Sequence, residues 1–121
     1  MKIGYVNIFI SNLELAIEFY EKKLGFTLEH SDAGFGYASF STGTVHLGLA
    51  VAGEEQQGLV GRHTGVGLVV GDLKAEHERL SKEGVVFTMP PTTQPWGGFM
   101  AMLDDPDGNV FYLDQPDVMH S

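Results

Sequence analysis

The sequence predicts an α+β fold of two βαβββ modules whose curved sheets form a cleft. Three observations carry this reading. Shifting the chain by sixty residues lays one half on the other, so that Val6, Ile8 and Ile10 fall on Val66, Leu68 and Val70. Asn12-Leu13 then falls on Asp72-Leu73, where each alternating strand gives way to a capped amphipathic helix. After each helix the sequence breaks into short strand patterns separated by Gly- and Asp-rich turns.

Taken in order, the first module covers residues 1–52. Its opening strand of about six residues meets the N-cap Asn12, and the helix closes at Leu24-Gly25, with Gly supplying the left-handed residue past its end. Strands are then expected over roughly 26–30, 34–41 and 44–51. Residues 53–63, Gly-rich and polar, read as a linker. The second module, 64–115, repeats the plan, with its helix ending at Glu83-Gly84 and strands over roughly 85–89, 98–104 and 109–114. The stretch 90–98, with Pro90, Pro91, Pro95 and two glycines, reads as irregular, and Asp104–Asn109 as a tight turn. Together the modules make one domain of 121 residues.

Composition narrows the function classes. At 43% hydrophobic and 19% charged, the chain has the make-up of a folded protein with a core of its own. It contains no Cys, which excludes thiol catalysis, Cys-ligated zinc and iron–sulfur clusters. Seven basic against sixteen acidic residues leave a net charge of −9, which repels phosphate backbones and argues against nucleic-acid binding. No stretch approaches the ~20 apolar residues of a membrane span. The opening Met1–Asn7 runs directly into a strand and lacks the apolar block of a signal peptide, so the cytoplasm is the expected compartment.

Strand alternation sorts the side chains into two faces. Val6, Ile8 and Ile10, Val45, Leu47 and Leu49, and Phe111 and Leu113 form the core set. Opposite them stand Tyr5, Asn7 and Phe9, His46, Gly48 and Ala50, and Val110, Tyr112 and Asp114. This second set is aromatic, small and mixed polar, the make-up of a concave lining.

The paired modules resemble the vicinal oxygen chelate family, which includes glyoxalase I, extradiol dioxygenases and the fosfomycin- and bleomycin-resistance proteins. The resemblance rests on Ile10-Ser11-Asn12-Leu13 through Phe19-Tyr20 to Leu24-Gly25-Phe26, and on Asp105-Pro106-Asp107-Gly108-Asn109-Val110-Phe111. It covers residues 3–115. It implies the two-module fold, and in metal-dependent members one divalent ion held by the first and last strands of each module. Carried over, those positions are Tyr5, His46, Gly65 and Tyr112. Only His46 is a good divalent ligand, since Gly has no side chain and Tyr with a pKa of ~10 is a poor one. No metal or other cofactor is therefore expected.

The function expected is that of a bleomycin-resistance-like protein binding a small, partly aromatic molecule without chemistry. The expected ligand-binding residues are Tyr5, Asn7, His46, Trp96, Met100 and Tyr112. Trp96 sits on the Gly/Pro loop as a flat wall, Met100 and Met102 supply an adaptable apolar surface, and Tyr5 or Tyr112 would hydrogen-bond a buried His46. The alternative is a glyoxalase-like lyase, isomerase or dioxygenase with a divalent ion at shifted positions such as His46 and His63. His30, His77 and His120 read as surface residues. A homodimer is expected, because the open sheets leave edges to cover.

Overall fold

The computed structural model describes residues 1–116; His120 lies outside them. The chain divides into two compact units, residues 1–62 with 106–109, and residues 63–105 with the chain from Val110. Each unit carries one four-stranded sheet, and the element order is that of two βαβββ modules.

The first sheet has the order β1-β4-β3-β2. Strand β1 (Tyr5–Ile10) runs parallel to β4 (His46–Val51), which pairs antiparallel with β3 (Tyr37–Ser41) and through it with β2 (Thr27–Asp32). Ile8, Ile10, Ala38, Phe40, Leu47 and Leu49 are buried on one face, as the alternation predicts. Helix α1 (Leu13–Ile17) is capped by Asn12, whose Oδ1 accepts from Leu15 N at 3.0 Å. The helix then widens into a π-helical stretch over Glu18–Lys23. The wider turn lets two consecutive aromatic residues, Phe19 and Tyr20, both reach the core, their rings edge to face at 5.1 Å. Gly25, at φ 80°, stops it where the sequence predicts.

The second sheet repeats the order as β5-β8-β7-β6. Its strands are β5 (His63–Val69), β6 (Val86–Thr93), β7 (Phe99–Asp104) and β8 (Val110–Gln115). Helix α2 (Leu73–Lys82) carries Leu73 and Leu80 to the buried Ala101, Leu103, Phe111 and Leu113 side of its unit. Asp72 caps it, Oδ1 accepting from Ala75 N, while Gln115 Oε1 takes the Leu73 N–H.

Three segments depart from the sequence reading. Strand β6 continues through Pro90 and Pro91, where an irregular stretch was expected. It is an edge strand whose register slips twice, between Phe87 and Met89 and between Met89 and Thr92, and the second slip takes both prolines out of the regular pairing with β7. The linker holds a 3₁₀ turn over Glu54–Leu59, and β5 already begins at His63. Strand β3 starts at Tyr37, because Asp32 Oδ1 accepts from Phe35 N and folds 33–36 into a turn.

Candidate functional site

The outward face of the second sheet can be read off its register. Gly67, Tyr112, Met102 and Met89 are successive neighbours across β5, β8, β7 and β6. The next row is Val69, Asp114, Met100 and Thr92, and the row before is His63, Val110, Asp104 and Val86. Tyr112 and the three methionines are half-buried, so the face is apolar and deformable at its centre.

β5 enters this face through a bulge. Its register slips between His63 and Gly67, and Gly65 turns the chain at φ 72°. Thr64 Oγ1 donates to Val110 O and accepts from Val66 N, satisfying the groups that the slip frees from the ladder. The bulge brings the His63 ring to 4.8 Å from that of Tyr112. His63 Nδ1 accepts from Gly65 N at 3.0 Å, which leaves its proton on Nε2.

Trp96 stands 71% exposed on the turn between β6 and β7, with Met100 on the row of this face nearest that turn. Bonds from Gln94 N to Gly98 O and from Gly97 N to Gln94 O close the turn. The indole lies against Gly98, in space that a β-carbon there would take.

Asp104 marks the other end of the face. Its Oδ1 is buried and has no hydrogen-bond partner. Burial, and then the neighbouring Asp105 charge, hold its carboxyl above the ordinary carboxylate range. A carboxyl raised on folding leaves stability intact below about pH 4 and lowers it as pH rises through the folded-state value. Asp104→Asn is therefore expected to melt higher than the parent at neutral pH, with the gap closing on acidification. Parallel melts across that pH range check it, and a gap that widens toward acid contradicts it.

On the first sheet, Tyr5, His46 and Ser41 form one outward row and Asn7, Gly48 and Ser39 the next. The sequence suggests Tyr5 or Tyr112 as the partner of a buried His46. The structure instead leaves its side chain 54% exposed and bonds Nδ1 to Glu29 Oε1 at 2.7 Å. Glu29 escapes a period-2 reading because it is the extra residue of a bulge between Leu28 and His30. Asp104 and Met89 were missed for similar local reasons, a strand end and a double slip beside two prolines.

Metal-ligating positions implied by the resemblance hold two Tyr, one Gly and one His. Gly65 is spent on the bulge, and His46 is engaged by Glu29. Among the described residues, no group of three or more His, Asp or Glu side chains is placed to hold a metal ion. This donor set does not fit a mononuclear divalent site.

Comparison with known proteins agrees with the fold. Protein YurT of Bacillus subtilis (strain 168) is 32% identical over 132 aligned residues, covering 95% of this chain and 99% of YurT. TnmS3, an antibiotic binding protein from Streptomyces sp. CB03234, superposes with a TM-score of 0.81 at 30% identity, covering 97% of each chain. A superfamily member from Sphaerobacter thermophilus gives 0.81 at 27% identity, covering 96% of this chain and 98% of its own. The sequence profile of the Glyoxalase/Bleomycin resistance protein/Dioxygenase superfamily matches residues 2–113, nearly the whole span over which the two modules repeat. The chain belongs to that superfamily.

Proposed function

We propose that the chain binds a small, partly aromatic molecule on the outward face of its second sheet and performs no metal-dependent chemistry there. The observation that carries this reading is the contiguous run of Tyr112, Met102 and Met89 with Met100 beside it. Thioethers and a phenol ring make an adaptable apolar surface that suits a flat ligand better than a sugar or a phosphate. The lack of a fitting metal donor set among the described residues supports the same reading, as does near-full-length likeness to an antibiotic binding protein.

The test uses a panel of planar aromatic antibiotics. At least one is expected to bind saturably and to quench or shift emission from Trp96, the only Trp in the chain. Stacking adds about 0.5–1.5 kcal/mol beyond area burial, so Trp96→Ala should weaken binding several-fold with the fold intact. Tight binding with unmoved Trp96 emission and a normal Trp96→Ala variant removes the loop from the site. Failure of the whole panel overturns the proposal. So does a stoichiometric divalent ion in protein purified without chelator or affinity tag.

We further propose a homodimer in the cytoplasm. Within each sheet the outer strands, β1 and β2 or β5 and β6, have one neighbour only, and such edges are commonly covered. Light scattering at micromolar concentration should give twice the 13.2 kDa chain mass; a clean monomer contradicts it.

A further inference from the structure

The first unit also carries a groove that shares no residue with the outward rows of either sheet, and its argument does not depend on the second sheet. The turn between β2 and β3 forms part of it. Asp32 Oδ1 accepts from Phe35 N at 3.1 Å, and Val51 N donates to Gly36 O at 2.8 Å. Gly36 stands at φ 64° against Val51, where a β-carbon would come within 3.0 Å of the valine Cβ. The turn is therefore pinned to the end of β4. The start of α1 supplies another part of the lining. There Asn12 caps the helix and Ser11 is tied to Asp107 through its N–H and its hydroxyl, which fixes Leu13 and Glu14 in place. The space so enclosed, about 590 Å³, is of the size that holds a small organic molecule.

Two features of this groove point to a ligand. Phe35 is 89% exposed at the tip of a turn, where polar residues are usual, so its ring offers apolar surface that the folded chain does not bury. Its neighbours Gly34 and Gly36 have no side chains to shield it. The second feature is charge. Every charged residue in the lining, or within two positions of it in sequence, is acidic: Glu14, Asp32, Glu54 and Glu55. Among the described residues no ion pair engages Glu14, Glu54 or Glu55. An open aromatic ring beside uncompensated carboxylates repels anions and attracts a cation that carries apolar surface.

We propose that this groove binds a small organic cation, a quaternary or tertiary ammonium joined to an aromatic or branched apolar body. The ammonium lies over the Phe35 ring on the Glu14 side, and the body packs against Leu13, Val51 and Ala52. A quaternary centre needs no hydrogen-bond acceptor, and an aromatic ring with carboxylates nearby supplies the attraction that it can use. A neutral molecule of the same shape gains the apolar contacts alone. A second copy of this chain is a poorer occupant, because it brings its own net charge of −9 against the same carboxylates.

4-(Hydroxymethyl)-N,N,N-trimethylanilinium and 4-tert-butylbenzyl alcohol are probes of one shape, with and without a charge. In NMR titrations of the whole protein at low salt, the cation is expected to bind about fivefold more tightly than the alcohol, or better. Signals of Phe35, Val51 and Ala52 should move, and the preference should shrink in about 0.5 M salt as the carboxylates are screened. Phe35→Leu keeps an apolar side chain on an exposed turn, so the fold survives. It should cut the preference about twofold or more while the alcohol binds nearly as before. Glu14→Gln should act in the same direction. Equal binding of the two probes overturns the proposal, as does an unchanged preference in Phe35→Leu. Absence of any response at the groove to millimolar cation also overturns it. If Phe35→Ala lowers the mass found by light scattering, a second copy covers the groove and the proposal fails. Trp96 emission reports on the second sheet separately, so either proposal can fail alone.

Discussion

Replacing Asn109 by Ala is expected to lower stability by about 3 kcal/mol. Asn109 is 1% exposed and serves three backbone groups at once. Its Oδ1 accepts from Gly61 N at 2.8 Å and Arg62 N at 3.2 Å, and its Nδ2 donates to Phe9 O at 3.0 Å. Alanine leaves two donors and one acceptor without their partner in a part-buried setting. Each bond contributes about 0.5–1.5 kcal/mol net, and an orphaned buried group costs about 1–3. The lower figure applies to any group that water can reach, which brings the sum to about 3. Urea unfolding of the parent and variant measures it directly. A loss below about 1 kcal/mol would mean that water replaces the side chain fully.

The same residue shows how far the sequence could be read. Asp-Pro-Asp-Gly-Asn announces a turn, and the structure has one. Nothing in the local pattern says that Asp107 accepts from Ser11 N and Ser11 Oγ, or that Asn109 reaches Phe9, one hundred positions away in sequence. These bonds place residues 106–109 with the first unit, although the repeat assigns them to the second module. Repeats and alternation report local conformation and burial, and they found both sheets, both helix caps and six of the eight named core residues, Val6 and Val45 being half-buried. They fail where register slips, because a bulge changes which face the next residue takes. Glu29 and His63 both lie at such slips, in β2 and β5, and both matter to the outward faces. Tyr112, Met100 and His46 needed only parity, and their strand faces were legible. Trp96 was legible as a turn residue, but its packing against Gly98 was not.

Gly108→Val is expected to cost about 2 kcal/mol, and its cause can be isolated cleanly. Gly108 sits at φ 82°, a conformation that a β-branched residue adopts only with strain. Space is not the obstacle, since the nearest atom to an added β-carbon is Gly61 Cα at 4.0 Å, an ordinary contact. Gly61 offers the contrast. Its φ is 79°, and a β-carbon there would lie 3.1 Å from Asp107 O, so a substitution adds crowding to strain. At position 108 the backbone term therefore stands nearly alone. Asn tolerates the left-handed region far better than Val, so Gly108→Asn should recover at least half of the loss. Because the turn is structural, affinity for any aromatic ligand should be unchanged in whatever fraction of Gly108→Val is folded. Unfolding curves for the two variants, with ligand titrations well below their melting points, separate the possibilities. If Val costs no more than Asn, backbone conformation is not what selects Gly there. If stability holds while binding is lost, the turn is not purely structural.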